Sequence, residues 1–263
     1  LTQIIIPSSI KSIGNNAFLG CTSLTNIQIP SSITSIGNGA FSGCSSLTNI
    51  QIPTSVISIG NGAFSGCSSL RQFAIPSSIK LIENSLFNGC SSLKQMIIPL
   101  NIKSIGDNAF SKCSGLTQMN IPPSVTSIGN GAFSDCSSLN HIKILSTVTS
   151  FGLEIFKGIK KIEITGDIKK IPYKLFSKCS TLTQIKFPST VTEICDYAFE
   201  GCSSLIDIKI PKSVTKIGNY AFFGCSSLSR IVLPPSVTYQ GQYAFSNCGD
   251  NFRVERSQGC NIQ

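Results

Sequence analysis

The sequence has no tryptophan, one histidine and two methionines in 263 residues. A single histidine excludes multi-histidine metal centres and leaves no histidine pair for a proton relay. Charged residues make up 13% of the chain, well below the usual quarter or so; Ser, Thr, Asn and Ile fill the gap. No apolar run approaches the roughly 18–20 residues of a membrane span. No Cys-x-x-Cys occurs, so the twelve cysteines carry neither a zinc nor a redox motif. Despite many asparagines there is no Asn-x-Ser/Thr acceptor, which leans against a glycosylated secretory route. No signal peptide is visible, and the chain opens on Leu1 inside a repeat, as expected of an excised piece.

Acidic residues are also scarce. Twelve of them face 21 basic ones, for a net charge of +9. Residues 1–131 hold 6 basic and 2 acidic residues, and residues 132–263 hold 15 and 10. The second half is simply more charged. A basic balance suits solubility, and it suits acidic partners.

What the sequence has in abundance is repetition. Residues 35–47 and 58–70 both read SIGNGAFSGCSSL. Gly37, Gly39 and Gly43 there resemble a phosphate loop, but a chemical site occurs once and this stretch recurs. Phe18, Phe41, Phe64, Phe87, Phe110, Phe133 and Phe156 follow one another at 23-residue steps. Phe176 comes after 20, and Phe199, Phe222 and Phe245 resume the step of 23. One such unit cannot bury its own apolar face; stacked copies can, so the pattern predicts a solenoid of about eleven units.

Within a unit, Leu47-Thr-Asn-Ile50-Gln-Ile52 alternates as a strand with one buried face. Pro53 ends it. The Ser/Thr-rich stretch that follows disfavours helix, and Asn61-Gly62 marks a turn with positive φ. The first complete coil sends Leu24, Ile27, Ile29, Ile33, Ile36, Phe41 and Cys44 inward. With equivalent residues one strand spacing apart, the stack spans on the order of 50 Å. The whole chain, residues 1–263, is expected to form one solenoid domain with a non-repeat end at 251–263. The unit at 156–176 has lost three turn residues, including the cysteine; it reads as a splice between arrays of seven and four units, with a binding feature as the alternative.

Ten of the twelve cysteines lie three residues after a repeat phenylalanine and so share one position. A disulfide set, a metal ladder and buried thiols are the readings to weigh. Pairing neighbours would break the equivalence of the position, so buried free thiols fit best. A Cys248–Cys260 bridge at the end of the chain stays open. Cys195 replaces a glycine and sits between Glu193 and Asp196. Those carboxylates blunt a nucleophile, and His141 is about two coils away, so no catalytic site and no cofactor is expected.

The order Leu24-Thr-Asn-Ile27-Gln-Ile29-Pro30-Ser-Ser-Ile33-Thr-Ser-Ile36-Gly37-Asn-Gly-Ala40-Phe41-Ser-Gly-Cys44 resembles the 23-residue BspA-like leucine-rich repeat. The resemblance covers nearly the whole chain. Departures are Leu145 and Thr165 in place of Pro, the short unit, and Asn251 in place of Leu. It implies a mainly β fold: a curved, right-handed leucine-rich-repeat coil with the strands in a parallel sheet on its concave face. It implies a non-catalytic protein-binding or adhesion role, often at the surface of bacteria or parasitic protists. The resemblance thus favours a cell-surface or secreted location, while absent glycosylation acceptors and many free cysteines leave a cytoplasmic one open.

In such a coil, the outward residues of each strand form ladders that a partner reads. In the first half these are mostly amides, such as Asn26/Gln28 and Asn49/Gln51. In the second half the candidate binding residues are His141, Lys143, Lys161, Gln184, Lys186, Asp207, Lys209 and Arg230. The five cations on successive coils suit an acidic protein segment. An anionic polysaccharide or nucleic acid is the alternative, and a solvated face with Lys–Glu and Lys–Asp pairs is the plain structural one. No aromatic residue occupies these outward positions, so a stacking platform for single strands is missing.

Overall fold

The structure is a computed structural model that describes residues 2–257. Among the described residues every ladder is parallel and there is no helix. The chain is a β-solenoid built of short rungs. It divides into two compact units: Leu1–Leu139 with Thr147–Gly152, and Asn140–Ser146 with Leu153–Gln263.

In the first unit Gln3–Ile5 pairs with Asn26–Gln28, and Gln28 bridges to Gln51. A second kind of ladder runs through the Ser-Ile steps. It joins Ser12–Ile13, Ser35–Ile36 and Ser58–Ile59, then Leu81–Ile82, Ser104–Ile105, Ser127–Ile128 and Ser150–Phe151. Alternation in the longer strand did not point to it. It forms because a two-residue extended step, with Ile inward and Ser outward, suffices for a rung once the 23-residue spacing aligns the next coil.

The longer ladder is interrupted in this unit. Residues 71–76 and 93–99 carry no strand. Their middle inward residues are Phe73 and Met96, where isoleucine is usual. Phe73 packs edge-on against Phe64 and Phe87, 4.8 Å from each. The Phe64–Phe87 step opens to 6.0 Å, against 5.1–5.5 Å for the other steps of that column. Phe73 thus acts as a wedge between coils.

The second unit pairs His141–Lys143, Lys161–Thr165, Gln184–Lys186 and Asp207–Ile208 in one ladder. Lys170–Ile171, Glu193–Ile194, Lys216–Ile217 and Tyr239–Gln240 form another, and Arg230–Leu233 pairs with Arg253–Arg256.

The inward set is as expected. Leu24, Ile27, Ile29, Ile33, Ile36, Phe41 and Cys44 are all buried, and Ala40 joins them. The phenylalanines stack face to face in each unit, at 5.0–5.4 Å for Phe156, Phe176, Phe199, Phe222 and Phe245. Such contacts add about 0.5–1.5 kcal/mol per pair beyond burial.

The polar residues of the repeat are tied to the preceding coil. Seven of the eight buried thiols donate to a phenylalanine carbonyl 26 residues earlier, as Cys67 Sγ does to Phe41 O at 3.2 Å. The eleven described cysteines are all free. Cys260 lies outside the described residues, and the Cys248–Cys260 question with it. Ser55 Oγ donates to Ile33 O at 2.7 Å, and Thr34 Oγ1 to Lys11 O at 3.2 Å. Asn38 Oδ1 accepts the Asn61 N–H at 2.8 Å, and the same bond recurs from Asn15 to Asp107. The asparagine next to the turn glycine is therefore a rung between coils. Burial without such partners would cost each of these groups on the order of 1–3 kcal/mol.

Candidate partner-binding face

The eight candidate residues all fall in the second unit, on or beside its longer ladder. Alternation puts Ile142, Ile162, Ile164, Ile185 and Ile208 inward and their neighbours outward. Lys161 sits beside Gln184 and Gln184 beside Asp207; Glu163 sits beside Lys186.

The short coil changes the first step of this register. A deletion of three turn residues alone would leave His141 beside Lys161. Instead His141 pairs with Glu163, Ile142 with Ile164 and Lys143 with Thr165. The strand Lys161–Thr165 is five residues long, and its two neighbours engage it two residues apart. A two-residue slip keeps every side chain on its own face, where a one-residue slip would turn isoleucines out to solvent. The turn at Gly166, whose φ is +107°, takes up the slip: the offset between coils is 22 in the strand and 21 at Ser146–Asp167. Asp167 then accepts the Ser146 N–H at 2.7 Å and the Ser146 hydroxyl at 2.9 Å. These bonds hold its carboxyl below the usual carboxylate range.

The five cations do not form one column: Lys161 and Arg230 hold the first outward position of their strands and Lys143, Lys186 and Lys209 the second, and the slip separates Lys143 further. His141 is half-buried, its Nε2 3.3 Å from Thr165 Oγ1, and Lys143 stands beside Thr165. Further along the ladder the remaining residues converge. Gln184, Lys186, Asp207 and Lys209 line a groove of about 690 Å³ together with Phe187 and Lys212. An adjoining groove of about 350 Å³ shares Asp207, Lys209 and Lys212 and adds Arg230 and Val232. His141, Lys143 and Lys161 line neither. Lys212 was missed by reading strands alone. Its signal is Ile210-Pro211-Lys212-Ser213, where the type unit has Ile29-Pro30-Ser31-Ser32.

Lys186, Lys209, Lys212 and Arg230 surround the single carboxylate Asp207. None of them takes part in an ion pair among the described residues. The ion pairs lie elsewhere: Lys157–Glu154 at 3.0 Å, and Glu193 clasped by Lys170 at 2.8 Å and Lys216 at 2.9 Å. The groove on the first unit differs in kind. Asn49, Gln51, Gln72, Gln95 and Ile97 line it, and it carries no charge.

The other singular residues form no reactive constellation. Burial, then Glu193, pushes the Cys195 thiol up, away from the thiolate a nucleophile needs. Among the described residues no group of three His, Cys, Asp or Glu side chains is placed to hold a metal ion, and no helix is long and apolar enough to cross a membrane.

No curated protein matches the sequence. Among solved structures, a leucine-rich repeat protein from Bacteroides ovatus shares 28% identity with a TM-score of 0.53, covering 98% of this chain and 84% of its own. A leucine-rich cell surface protein from Faecalibacterium prausnitzii shares 29% identity with a TM-score of 0.47, over 99% and 80%. The pneumococcal vaccine antigen PcpA shares 18% identity with a TM-score of 0.48, over 98% and 78%. Leucine-rich repeat proteins are in general non-enzymatic scaffolds for protein interaction. The model of the BspA-type leucine-rich repeat region matches residues 1–113, 34–161 and 157–254. With that coverage and the coil geometry above, the chain belongs to the BspA-type leucine-rich repeat family.

Proposed function

We propose that this chain is a non-catalytic interaction module whose second unit binds an acidic segment of a partner protein across its longer ladder. The observation that supports this is the groove formed by Gln184, Lys186, Asp207, Lys209, Lys212 and Arg230. Four cations stand there around one carboxylate, free of ion pairs among the described residues. Like charges held side by side repel one another, and an acidic ligand relieves that repulsion. His141, Lys143 and Lys161 lie along the same ladder and extend the cationic field beyond the groove. An anionic polysaccharide is the second reading, favoured by the spread of the cations over successive strands. Nucleic acid is the weaker form of it, because the outward strand positions offer no aromatic platform.

The test is a pair of charge reversals, Lys186→Glu with Lys209→Glu. Affinity for a fluorescent polyglutamate peptide is expected to fall by about tenfold or more, and wild-type binding to weaken steeply with salt. Unchanged affinity rejects the groove. Tighter binding to heparin than to polyglutamate, lost in the same variant, moves the assignment to the polysaccharide.

A further inference from the structure

All five tyrosines of the chain lie between residues 173 and 243, in the second unit. None is on the longer ladder of His141–Lys143 to Asp207–Ile208. Tyr197, Tyr220 and Tyr243 occupy one position in three successive coils, and that position has a left-handed backbone, with φ of 58°, 54° and 55°. The first unit places Asn16, Gly39, Gly62, Ser85, Asn108 and Gly131 at the same turn. Glycine takes this conformation without strain and asparagine tolerates it, whereas a bulky side chain is an outlier there. Glu154 and Lys174 hold the same turn in the two coils before Tyr197, with φ of 55° and 56°, so the left-handed backbone belongs to the coil, and what sets this stretch apart is the run of three like rings.

The rings make a continuous column. Tyr197 and Tyr220 stack at 5.0 Å with planes 5° apart, and Tyr243 follows at 5.2 Å. Tyr173 closes the other end, edge-on at 5.8 Å. Tyr173 and Tyr243 are each about half exposed. Lys174 Nζ lies 5.2 Å and 5.3 Å from the centres of the Tyr173 and Tyr197 rings. The rings thus already stand in one column without a ligand, and a pre-formed surface lowers the entropy lost on binding.

We propose that this column is a docking surface for a neutral linear polysaccharide lying along the stack. The periodicity selects the ligand. The rings repeat every 5.0–5.8 Å. An extended peptide repeats its same-side groups about every 6.6 Å, and stacked nucleotides about every 3.4 Å. A pyranose ring with its linking oxygen advances by about one coil. Amphipathic tyrosine edges suit it, since each offers apolar carbon and a hydroxyl that donates and accepts. Charge selects the neutral class. Lys170 and Lys216 share Glu193, and Asp196 and Glu200 lie in the fields of Lys216 and Lys174. Three cations therefore meet three carboxylates beside the rings, in contrast to the cationic groove.

The experiment is native affinity electrophoresis of the whole chain through gels containing hydroxyethylcellulose, β-mannan or xylan. At least one of these is expected to retard the protein. Replacing Tyr197, Tyr220 and Tyr243 by glycine installs the residue that the first unit uses. It is expected to weaken binding by about tenfold or more, a loss typical of removing an aromatic anchor. The Lys186→Glu/Lys209→Glu variant is expected to bind like wild type, which separates this surface from the groove. A thermal melt checks folding of the triple variant, and Tyr243→Gly at the exposed end serves if the triple variant unfolds. The proposal is overturned by free migration in all three gels, or by undiminished binding of the glycine variants. Retardation by polygalacturonate, heparin or single-stranded DNA alone also overturns it.

Discussion

Asparagine next to a turn glycine reads, at the level of the single residue, as a conformational device. The structure gives it a second task. Asn61 Oδ1 holds the Asn84 N–H one coil on, at 3.1 Å, and Asp107 and Asp196 do the same for Asn130 and Asn219, at 2.6 and 2.7 Å. What the rung requires is an oxygen, not an amide. Asn61→Ala is expected to lower stability by about 1–2 kcal/mol, and Asn61→Asp by much less. Urea denaturation of the two variants checks this, and equal losses would refute it. The same logic covers Ser55 and Thr34, whose hydroxyls each meet a carbonyl of the preceding coil; Ser124, at the Ser55 position three coils on, is buried without such a partner. These partners sit 22–26 residues away, so spacing announces them only once the coil is known.

The ordinary coil was legible in the sequence at the level of the element. Inward residues at fixed offsets named the core of Leu24, Ile27, Ile33 and Phe41 before any coordinates, because stacking leaves them one place to go. The Ser-Ile rungs were not legible, since two residues are too few to show a period. Nor was the slip at Lys161–Thr165. Counting a deletion says how many residues are lost, while pairing decides which rung absorbs them. The cationic residues were named correctly as outward, but only the coordinates showed which ones share a groove, and Lys212 escaped because it follows the strand. The short element turns on Gly166, where an added methyl runs into the Ile144 carbonyl. Gly166→Ala is expected to cost more than about 2 kcal/mol and to raise hydrogen exchange first in residues 140–167. Exchange rising uniformly along the chain would contradict this.

The buried thiols act together on the scale of the whole molecule. Desolvation raises Cys67, Cys113 and Cys179 from the ordinary 9.0 to about 12, with neighbouring thiols or carboxylates adding to it at Cys67 and Cys179. The folded chain therefore keeps protons that the unfolded chain releases above pH 9. Stability from this source is full below pH 9 and is lost as pH rises towards 12, by up to about 1.4 kcal/mol per pH unit for each buried thiol. The urea midpoint is expected to hold steady from pH 6 to 8 and to fall from pH 9 to 11. A flat profile would show that the thiols do not govern it. The repeating 23-residue register has a different consequence, for inheritance. In an ordinary domain a duplicated segment lands among contacts that cannot receive it. Here each regular coil meets only coils like itself, so a copied unit is accommodated without disturbing the rest. The identical runs at 35–47 and 58–70 have the form that such copying produces. Lengthening the array by gene duplication is thus a neutral step, and later divergence is free to act on the outward residues while the coil stays constant.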